Sequence, residues 1–321
     1  MEQCKLCPRA CLVNRLTGQA GRCHETATVR IARAALHFWE EPCLSGTQGS
    51  GAVFFTGCSL GCVYCQNGMI ANGSVGKEVS IEQLAHIMLK LQHEGALNIN
   101  LVTGTHFIPQ ICEALQLAKQ QGLSIPIVYN TSGYEEVESL RMLEGLVDIY
   151  LPDLKYVSKE RAKAYSHAED YPKKAMNAIG EMVRQVGNPS VTKEGIMERG
   201  VIVRHLVLPL GVKEAKQVLS YLWNTYQNQI YVSLMSQYTP VGVFAVEEKG
   251  DWNEKVDELH TERSGIHVLR EQYPELCRCI TKREYQRILD YAMELGMEQV
   301  YIQEREAAKE SFIPEFDLTG L

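Results

Sequence analysis

Short apolar runs alternate with amphipathic stretches along most of this chain. Six apolar runs are rich in β-branched residues and have the length of buried parallel strands. They are Val53–Thr56, Asn98–Thr103, Ile125–Tyr129, Val147–Leu151, Val201–Leu208 and Ile230–Leu234. The helical stretches between them are Ile81–His93, Ile108–Gln121, Glu135–Leu143, Lys159–Val186 and Lys213–Trp223, and a last helix, Lys282–Leu295, precedes a strand at Gln299–Gln303. This alternation predicts a parallel α/β fold, whose repeated units can close wholly or partly into a barrel.

Two segments fall outside this alternation. Residues 1–45 are dense in cysteine, which predicts an N-terminal metal-binding appendage. Residues 241–275 form an insertion whose charged sequence allows one short helix, Asp251–Leu259. This insertion is either a solvated excursion or a lid over the substrate. The remaining divisions are a core of residues 46–240 and a C-terminal helix, strand and tail at residues 276–321.

Composition narrows the class of protein. A chain of 321 residues suits one large domain with a small appendage. The formal charge is −7 and basic residues form no long run, which argues against nucleic acid as a partner. No apolar run approaches the ~18 residues needed to span a membrane. The N-terminus lacks the apolar core of a signal peptide, so the eleven cysteines indicate metal ligands in a reducing cytoplasm.

The densest candidate chemistry is a trio of cysteines in the stretch FFTGCSLGCVYCQN. Cys58, Cys62 and Cys65 follow the predicted strand Val53–Thr56, so one loop presents three thiolates. Three soft ligands suit an iron–sulfur cube, which normally takes four cysteines, and they leave one iron open for chemistry. The alternative is a zinc knuckle, for which no fourth Cys or His follows at the usual spacing.

This CxxxCxxC motif, with Tyr64 before its last cysteine, resembles the signature of radical S-adenosylmethionine (radical SAM) enzymes. The resemblance implies a partial (β/α)6 barrel and a [4Fe–4S] cluster whose open iron binds SAM. It also implies one-electron cleavage of SAM to methionine and a 5′-deoxyadenosyl radical, which abstracts a hydrogen atom from substrate. Flavodoxin or ferredoxin would supply the electron, and because oxygen attacks the open iron, the oxidoreductase would work under anaerobic conditions.

Other segments resemble the PflX-like branch of that superfamily, which is similar to pyruvate formate-lyase activating enzymes. These segments are CKLCPRAC, EEPCLSGTQGSGAVFF, the DLK of YLPDLKY, SQYTP, REYQRILDYA and IPEFDLTG. The resemblance implies activation of a glycyl radical enzyme by hydrogen abstraction from a backbone glycine. Two alternatives stay open for the function: radical modification of another peptide or small molecule, and a non-catalytic iron–sulfur or zinc-binding regulatory module.

The resemblance also implies which residues bind SAM, since barrels of this kind carry functional groups at the carboxyl ends of their strands. The cofactor-binding set is Tyr64, Gly104, Thr105, Asn130, Thr131, Asp153, Arg204 and Gln237, and the catalytic residue is Lys155. The alternative for Asp153 and Lys155 is an ion pair with no role in binding.

Two histidines beside this set have specific expectations. Thr105 and His106 stand where the superfamily commonly has Gly-Glu. His106 binds SAM or substrate, or it caps the helix that follows. Because neighbouring residues of a strand face opposite sides, we expect Arg204 to point into the barrel and His205 to pack outside it.

Four further cysteines form a second dense motif near the N-terminus, and they are Cys4, Cys7, Cys11 and Cys23. Their spacing predicts a second metal site, but it does not decide between zinc and a second iron–sulfur cluster. For Cys277 and Cys279, packing, a reactive pair and extra metal ligands all stay open.

Overall fold

The structure is a computed structural model that describes residues 2–241, 268–303 and 314–321. Most of the predicted insertion, including the Asp251–Leu259 helix, lies outside the described residues. Within the described ranges, every helix falls short of the length and apolar content that a membrane crossing requires.

A sheet of ten strands forms the frame of the molecule. The strands are β1 (Val29–His37), β2 (Ser50–Phe55), β3 (Lys77–Val79), β4 (Ile99–Val102), β5 (Ile127–Thr131), β6 (Ile149–Pro152), β7 (Ser190–Val191), β8 (Met197–Leu206), β9 (Tyr231–Met235) and β10 (Val300–Gln303). Their order across the sheet is β10–β9–β8–β6–β5–β4–β2–β1–β3, with β7 paired to β8. From β10 to β2 all neighbours run parallel. Since β2 and β10 do not pair in the described chain, the predicted partial barrel is confirmed.

Helices lie in the connections between the strands. They are α1 (Pro42–Ser45), α2 (Gly68–Ala71), α3 (Ile81–His93), α4 (Ile108–Gln120), α5 (Val137–Arg141), α6 (Lys159–Ser166), α7 (Tyr171–Val186), α8 (Val212–Tyr226), α9 (described at 268–272) and α10 (Lys282–Glu294). Ser80 begins α3 and Thr281 begins α10, each with a capping box. The single helix predicted at Lys159–Val186 is two helices, because His167 adopts a left-handed backbone with φ of 52° and ends α6.

Three strands were not predicted from the sequence, and they are β1, β3 and the two-residue β7. β1 runs antiparallel to β2, and β3 runs antiparallel to β1 at the edge of the sheet. Arginines interrupt the apolar residues of β1, and Arg30 pairs with Glu25 while Arg33 pairs with Asp317. Because of these arginines, β1 lacks the continuous apolar run that predicts a buried strand. The segment before residue 46 therefore contributes a strand to the main sheet.

Apolar side chains cover both faces of the sheet. Helices α3, α4, α7 and α8 bury one continuous core against it. On the other face, α1 inserts Cys43 and Leu44 among Val128, Ile149 and Ile202. This small plug fills the inside of the barrel near the amino ends of the strands and leaves the carboxyl ends open.

Candidate active site

The carboxyl ends of the parallel strands open into one cavity of about 690 Å³. The ends of β4, β5, β6, β8 and β9 and the loop after β2 supply its walls, and the segment between β1 and α1 closes one side. Barrels of this kind carry their chemistry at this end of the strands. This cavity is therefore the candidate active site.

Three cysteine side chains line the cavity from the loop after β2. Cys58, Cys62 and Cys65 all contribute to its wall. The loop curls because Gly57 and Gly61 adopt a left-handed backbone, with φ of 79° and 64°. Burial raises the pKa of the Cys65 thiol to about 12, and the neighbouring Cys62 and Cys58 add to this rise. Thiols in such a setting ionise when a bound metal replaces the proton.

Three thiols are the donor type that an iron–sulfur cube takes when one of its irons is left without a protein ligand. In the part of the chain that the structure describes, no three His, Cys, Asp or Glu side chains converge to hold one metal ion. Thiolates that bind different irons of a cube lie farther apart than thiolates that share one ion. Three thiols in the wall of one cavity agree with the cube, and each would bind a different iron.

Opposite charges meet where β6 and β8 reach the cavity. Asp153 accepts from Lys155 Nζ at 2.5 Å and from Arg204 Nε at 3.1 Å, and Arg204 Nη2 donates to Asn130 Oδ1 at 2.6 Å. Burial opposes ionisation of Asp153, but Lys155 and Arg204 outweigh it and hold the pKa of this carboxyl below its usual range. All four side chains line the cavity. Asp153 and Lys155 therefore do form the ion pair that the sequence analysis gives as an alternative, and this pair lies in the wall of the cavity.

β8 sends neighbouring side chains to opposite faces. Arg204 lines the cavity, whereas His205 is buried with Nδ1 2.8 Å from the carbonyl oxygen of Leu154. These orientations are the ones expected from the sequence.

Three more predicted cofactor-binding residues line the cavity, and they are Tyr64, Thr131 and Gln237. The hydroxyl of Tyr64 lies 2.6 Å from that of Tyr156, so the ring is held by its polar end. Thr131 donates its hydroxyl hydrogen bond to Glu135, away from the cavity. The Thr131 hydroxyl is therefore committed to Glu135 and not to a ligand in the cavity.

Two predicted cofactor-binding residues lie outside the cavity lining, Gly104 and Thr105. A Cβ on Gly104 would come within 2.5 Å of Ile111 Cδ1, so this glycine serves close packing against α4. Thr105 is buried, and its hydroxyl donates to Glu135 Oε1 at 2.6 Å. Thr103 lines the cavity instead, with a φ of 61° that is strained for a β-branched residue.

His106 has neither of its expected roles. It lies outside the cavity lining, and the N-cap of α4 is Phe107. Its Nε2 lies 2.6 Å from the carbonyl oxygen of Thr56, and burial lowers its pKa to about 3. His106 is therefore a neutral packing residue beneath the cysteine loop.

The four N-terminal cysteines lie away from the cavity lining but near one another. Cys4, Cys7 and Cys23 are buried, and burial raises the pKa of Cys7 to about 12, with Cys23 adding to the rise. A Cβ on Gly21 would lie 3.2 Å from Cys11 Sγ and 3.5 Å from Cys23 Sγ. The fold thus gathers all four cysteines of the motif into one region.

Sequence analysis missed two acidic residues at the site, Glu40 and Glu41, which line the cavity between β1 and α1. Glu40 Oε1 accepts from Asn100 Nδ2 at 2.9 Å, and its Oε2 lies 3.5 Å from Arg204 Nη1. Burial raises the pKa of Glu40, and Arg204 opposes this shift. The available signal was an acidic pair before a proline in EEPC, but nothing in that pattern indicates that the loop turns into the barrel.

Comparison with known proteins identifies the class that this fold and site define. Residues 52–198, which contain the three-cysteine loop and the strands from β4 to β6, match the model of the Radical SAM superfamily. This match covers a little under half of the chain, and it confirms the resemblance seen in the motifs.

Two relatives extend this match. An uncharacterized protein of Methanocaldococcus jannaschii is 25% identical over 308 residues, covering 94% of this chain and 77% of that protein. The pyruvate formate-lyase-activating enzyme of Clostridium pasteurianum is 27% identical over 181 residues, covering 55% of this chain and 68% of that enzyme. The second relative agrees with the branch that the motifs indicate.

Solved structures also resemble the chain. Native anSMEcpe with bound AdoMet (S-adenosylmethionine) shares 13% identity at a TM-score of 0.46, covering 77% of this chain and 61% of that chain. The same protein with bound AdoMet and the Cp18Cys peptide shares 12% identity at a TM-score of 0.43, covering 77% of this chain and 60% of that chain. This chain thus spans about three-fifths of the length of those proteins.

Proposed function

We propose that this chain is an enzyme that cleaves SAM reductively at a [4Fe–4S] cluster. The observation that carries the proposal is that three thiols and a buried ionic network line one cavity of a radical SAM domain. Cys58, Cys62 and Cys65 would hold three irons and leave the fourth open. When bound, the reduced cluster supplies the electron that splits SAM into methionine and a 5′-deoxyadenosyl radical, which takes a hydrogen atom from substrate.

The charges of the cavity suit SAM, which carries a sulfonium, an amino group and a carboxylate. Arg204 and Lys155, the proposed catalytic residue, would donate to the carboxylate of bound SAM. Asp153 and Glu40 would supply negative charge for its amino group and sulfonium. The buried ring of Tyr64 would pack against its adenine. Together these residues bind and orient the cofactor and exclude water.

Polar groups from neighbouring strand ends complete the proposed binding set. Asn130, Thr131 and Gln237 line the same cavity. The side-chain amides of Asn130 and Gln237 can bond the ribose and adenine, whereas Thr131 contributes to the wall with its hydroxyl committed to Glu135. We do not include Gly104 and Thr105 among the proposed SAM-binding residues, since neither lines the cavity.

We infer further that the substrate is a glycyl radical enzyme, activated at a backbone glycine. The support is the similarity to a named pyruvate formate-lyase-activating enzyme. Flavodoxin or ferredoxin would reduce the cluster. Since none of the eleven cysteines forms a disulfide in the structure, we place the enzyme in the reducing cytoplasm.

The first experiment reconstitutes the full chain with iron and sulfide without oxygen and adds SAM and dithionite. We expect release of 5′-deoxyadenosine by the wild type. Absence of this product would favour a non-catalytic regulatory module. If the product appears, mixing with the glycyl radical enzyme encoded nearest in the genome should give the doublet of a glycyl radical in electron paramagnetic resonance (EPR). Without the doublet, the substrate is another peptide or a small molecule.

We also propose a second metal site at the four N-terminal cysteines, Cys4, Cys7, Cys11 and Cys23. Its support is the gathering of these cysteines and the burial of three of them. Metal analysis of the purified wild type, with visible absorption as the second readout, distinguishes zinc from a second iron–sulfur cluster at this site. Zinc without added colour identifies a zinc site, whereas iron and sulfide beyond one cluster per chain identify a second cluster.

A further inference from the structure

One side chain of the N-terminal cysteine segment reaches the loop of the proposed catalytic cluster. Arg9 belongs to the stretch CKLCPRAC. Its Nε donates to the Ser59 carbonyl oxygen at 2.8 Å, and its Nη2 donates to that of Leu60 at 3.3 Å. Both carbonyl groups lie between the first two cysteines of the cluster loop. Arg9 therefore binds the main chain that spaces these two ligands.

The same guanidinium holds the end of α6 against this loop. Its Nη1 donates to the His167 carbonyl oxygen at 2.5 Å, and its Nη2 donates to that of Ser166 at 3.1 Å. Ser166 Oγ in turn lies 2.9 Å from Cys62 Sγ. The guanidinium also lies over the ring of Tyr134, 5.3 Å from its centroid. A planar fork with several donors is needed to bond this many carbonyl oxygens at once.

The position of Arg9 depends on how the cysteine segment is held. Ala10 and Leu12 adopt positive φ values of 40° and 58°, which non-glycine residues rarely do. Tight turns close the segment, because the Ala10 N–H donates to the Cys7 carbonyl oxygen at 3.0 Å and the Leu12 N–H to that of Cys4 at 3.1 Å. Such backbone persists only where its surroundings fix it. Ligation of these cysteines by a metal would fix it.

A second contact joins the two groups of cysteines. Gly57 directly precedes Cys58, and a Cβ on it would lie 2.4 Å from the carbonyl oxygen of Cys23. The main chain at Cys23 therefore touches the start of the cluster loop. The N-terminal cysteine segment therefore contacts the first part of this loop at two places, at Gly57 and at the Ser59 and Leu60 carbonyl groups.

We propose that Arg9 is a positioning residue that couples metal ligation at the N-terminal cysteines to the geometry of the catalytic cluster. The inference rests on the proposed function, since it requires metal at both cysteine groups. Loss of metal from the N-terminal group releases Arg9 from Ser59 and Leu60. The main chain between the first two cluster ligands then loosens, and the cluster becomes labile. The N-terminal site thus regulates the catalytic cluster.

The test compares full-length variants with the wild type after reconstitution without oxygen: Arg9→Gln, Cys7→Ser, their double variant and Arg22→Gln. Arg22→Gln is the matched control, because Arg22 lies in the same segment and its side chain makes no hydrogen bond or ion pair to other described residues. The readouts are the EPR line shape of the reduced core cluster and its rate of iron loss to a chelator. The core signal is the one that Cys62→Ala lacks. Thermal midpoints report general damage to the fold.

We expect Arg9→Gln and Cys7→Ser each to lose core iron about tenfold faster, the factor that loss of a charged hydrogen bond implies. Both should change the EPR line shape, and Arg22→Gln should match the wild type. If the coupling passes through Arg9, the double variant matches the single variants. Wild-type behaviour of Arg9→Gln, or additive effects in the double variant, would overturn the proposal. If instead the coupling is seen but the wild type never cleaves SAM, the proposed function fails and the role of Arg9 stands.

Discussion

At the scale of single residues, the cavity is lined by thiols and by more acidic than basic side chains. Three carboxylates, Glu40, Glu41 and Asp153, line it with two cations, Lys155 and Arg204. Burial raises the pKa of Glu40 and of Glu41, so a ligand that brings positive charge beside them is needed to favour their ionised forms. SAM meets this requirement because its sulfonium and amino group outnumber its carboxylate.

Replacing Cys62 tests the proposed cluster ligands. We expect Cys62→Ala to lose the brown colour of the cluster and all 5′-deoxyadenosine release above background, since two thiolates cannot hold the cube. Cys112→Ala is the matched control, because its thiol lies on α4 and contacts the Met142 carbonyl oxygen at 3.3 Å. Visible absorption and product analysis check both variants. Cleavage of SAM by Cys62→Ala would contradict the ligand assignment.

Replacing Asp153 tests the ionic network. Asp153→Asn leaves Lys155 and Arg204 without their shared carboxylate, so we expect the free energy of unfolding to fall by about 3 kcal/mol. Affinity for SAM should fall by about tenfold, because the two cations lose their fixed orientation. Urea unfolding and anaerobic SAM titration provide the measurements.

The control for this change is Asp317→Asn. Asp317 pairs with Arg33 at 2.9 Å, but it lies at an exposed site. Water and salt screen exposed ion pairs, so this variant should unfold almost like the wild type. Equal losses in the two variants would show that Asp153 is an ordinary surface partner.

At the scale of elements, the cysteine loop depends on the contact between Gly57 and the N-terminal segment. Gly57→Ala and Gly61→Ala both place alanine at positive φ, which costs about 1–2 kcal/mol each. Only the Cβ at Gly57 meets another atom, the Cys23 carbonyl oxygen at 2.4 Å, whereas nothing lies within 4 Å of a Cβ at Gly61. We expect Gly57→Ala to lower the free energy of unfolding by about 2 kcal/mol more than Gly61→Ala does. Urea unfolding gives the comparison, and equal losses would place the N-terminal segment away from the loop.

The sequence predicts the elements best where apolar periodicity and local capping agree. The bounds of α3, Ile81–His93, match the prediction because Ser80 caps a regular amphipathic stretch. β1 was missed because its arginines find partners that only the folded chain provides. The break between α6 and α7 was missed because the left-handed turn at His167 is a single-residue event within a helical pattern.

At the scale of the whole molecule, a parallel barrel explains which site residues the sequence could predict. Asn130, Asp153 and Arg204 end neighbouring strands, so the fold class alone brings them together. Glu40 could not be predicted in this way, because it comes from a loop outside the strand and helix alternation. Its place depends on α1 filling the barrel, which is a tertiary event with no periodic signal.

The stability of the whole molecule should depend on pH through His106. Burial holds this histidine neutral in the folded chain with a pKa of about 3, whereas the unfolded chain takes up the proton near 6.5. Acid therefore favours unfolding, and the free energy of unfolding should fall by about 2 kcal/mol from this group between pH 7.5 and pH 5. His106→Gln should lack this part of the slope in urea unfolding at the two pH values. An unchanged slope would show that His106 is solvated in the folded chain.

The most direct test of the central claim is the EPR spectrum of the reduced, anaerobically reconstituted chain with and without SAM. If the three cysteines of the loop hold a cube with one open iron, added SAM binds that iron and shifts the spectrum. Cys62→Ala should show neither the signal nor the shift. A chain that reconstitutes no cluster at this loop, or a cluster whose spectrum ignores SAM, would contradict the account.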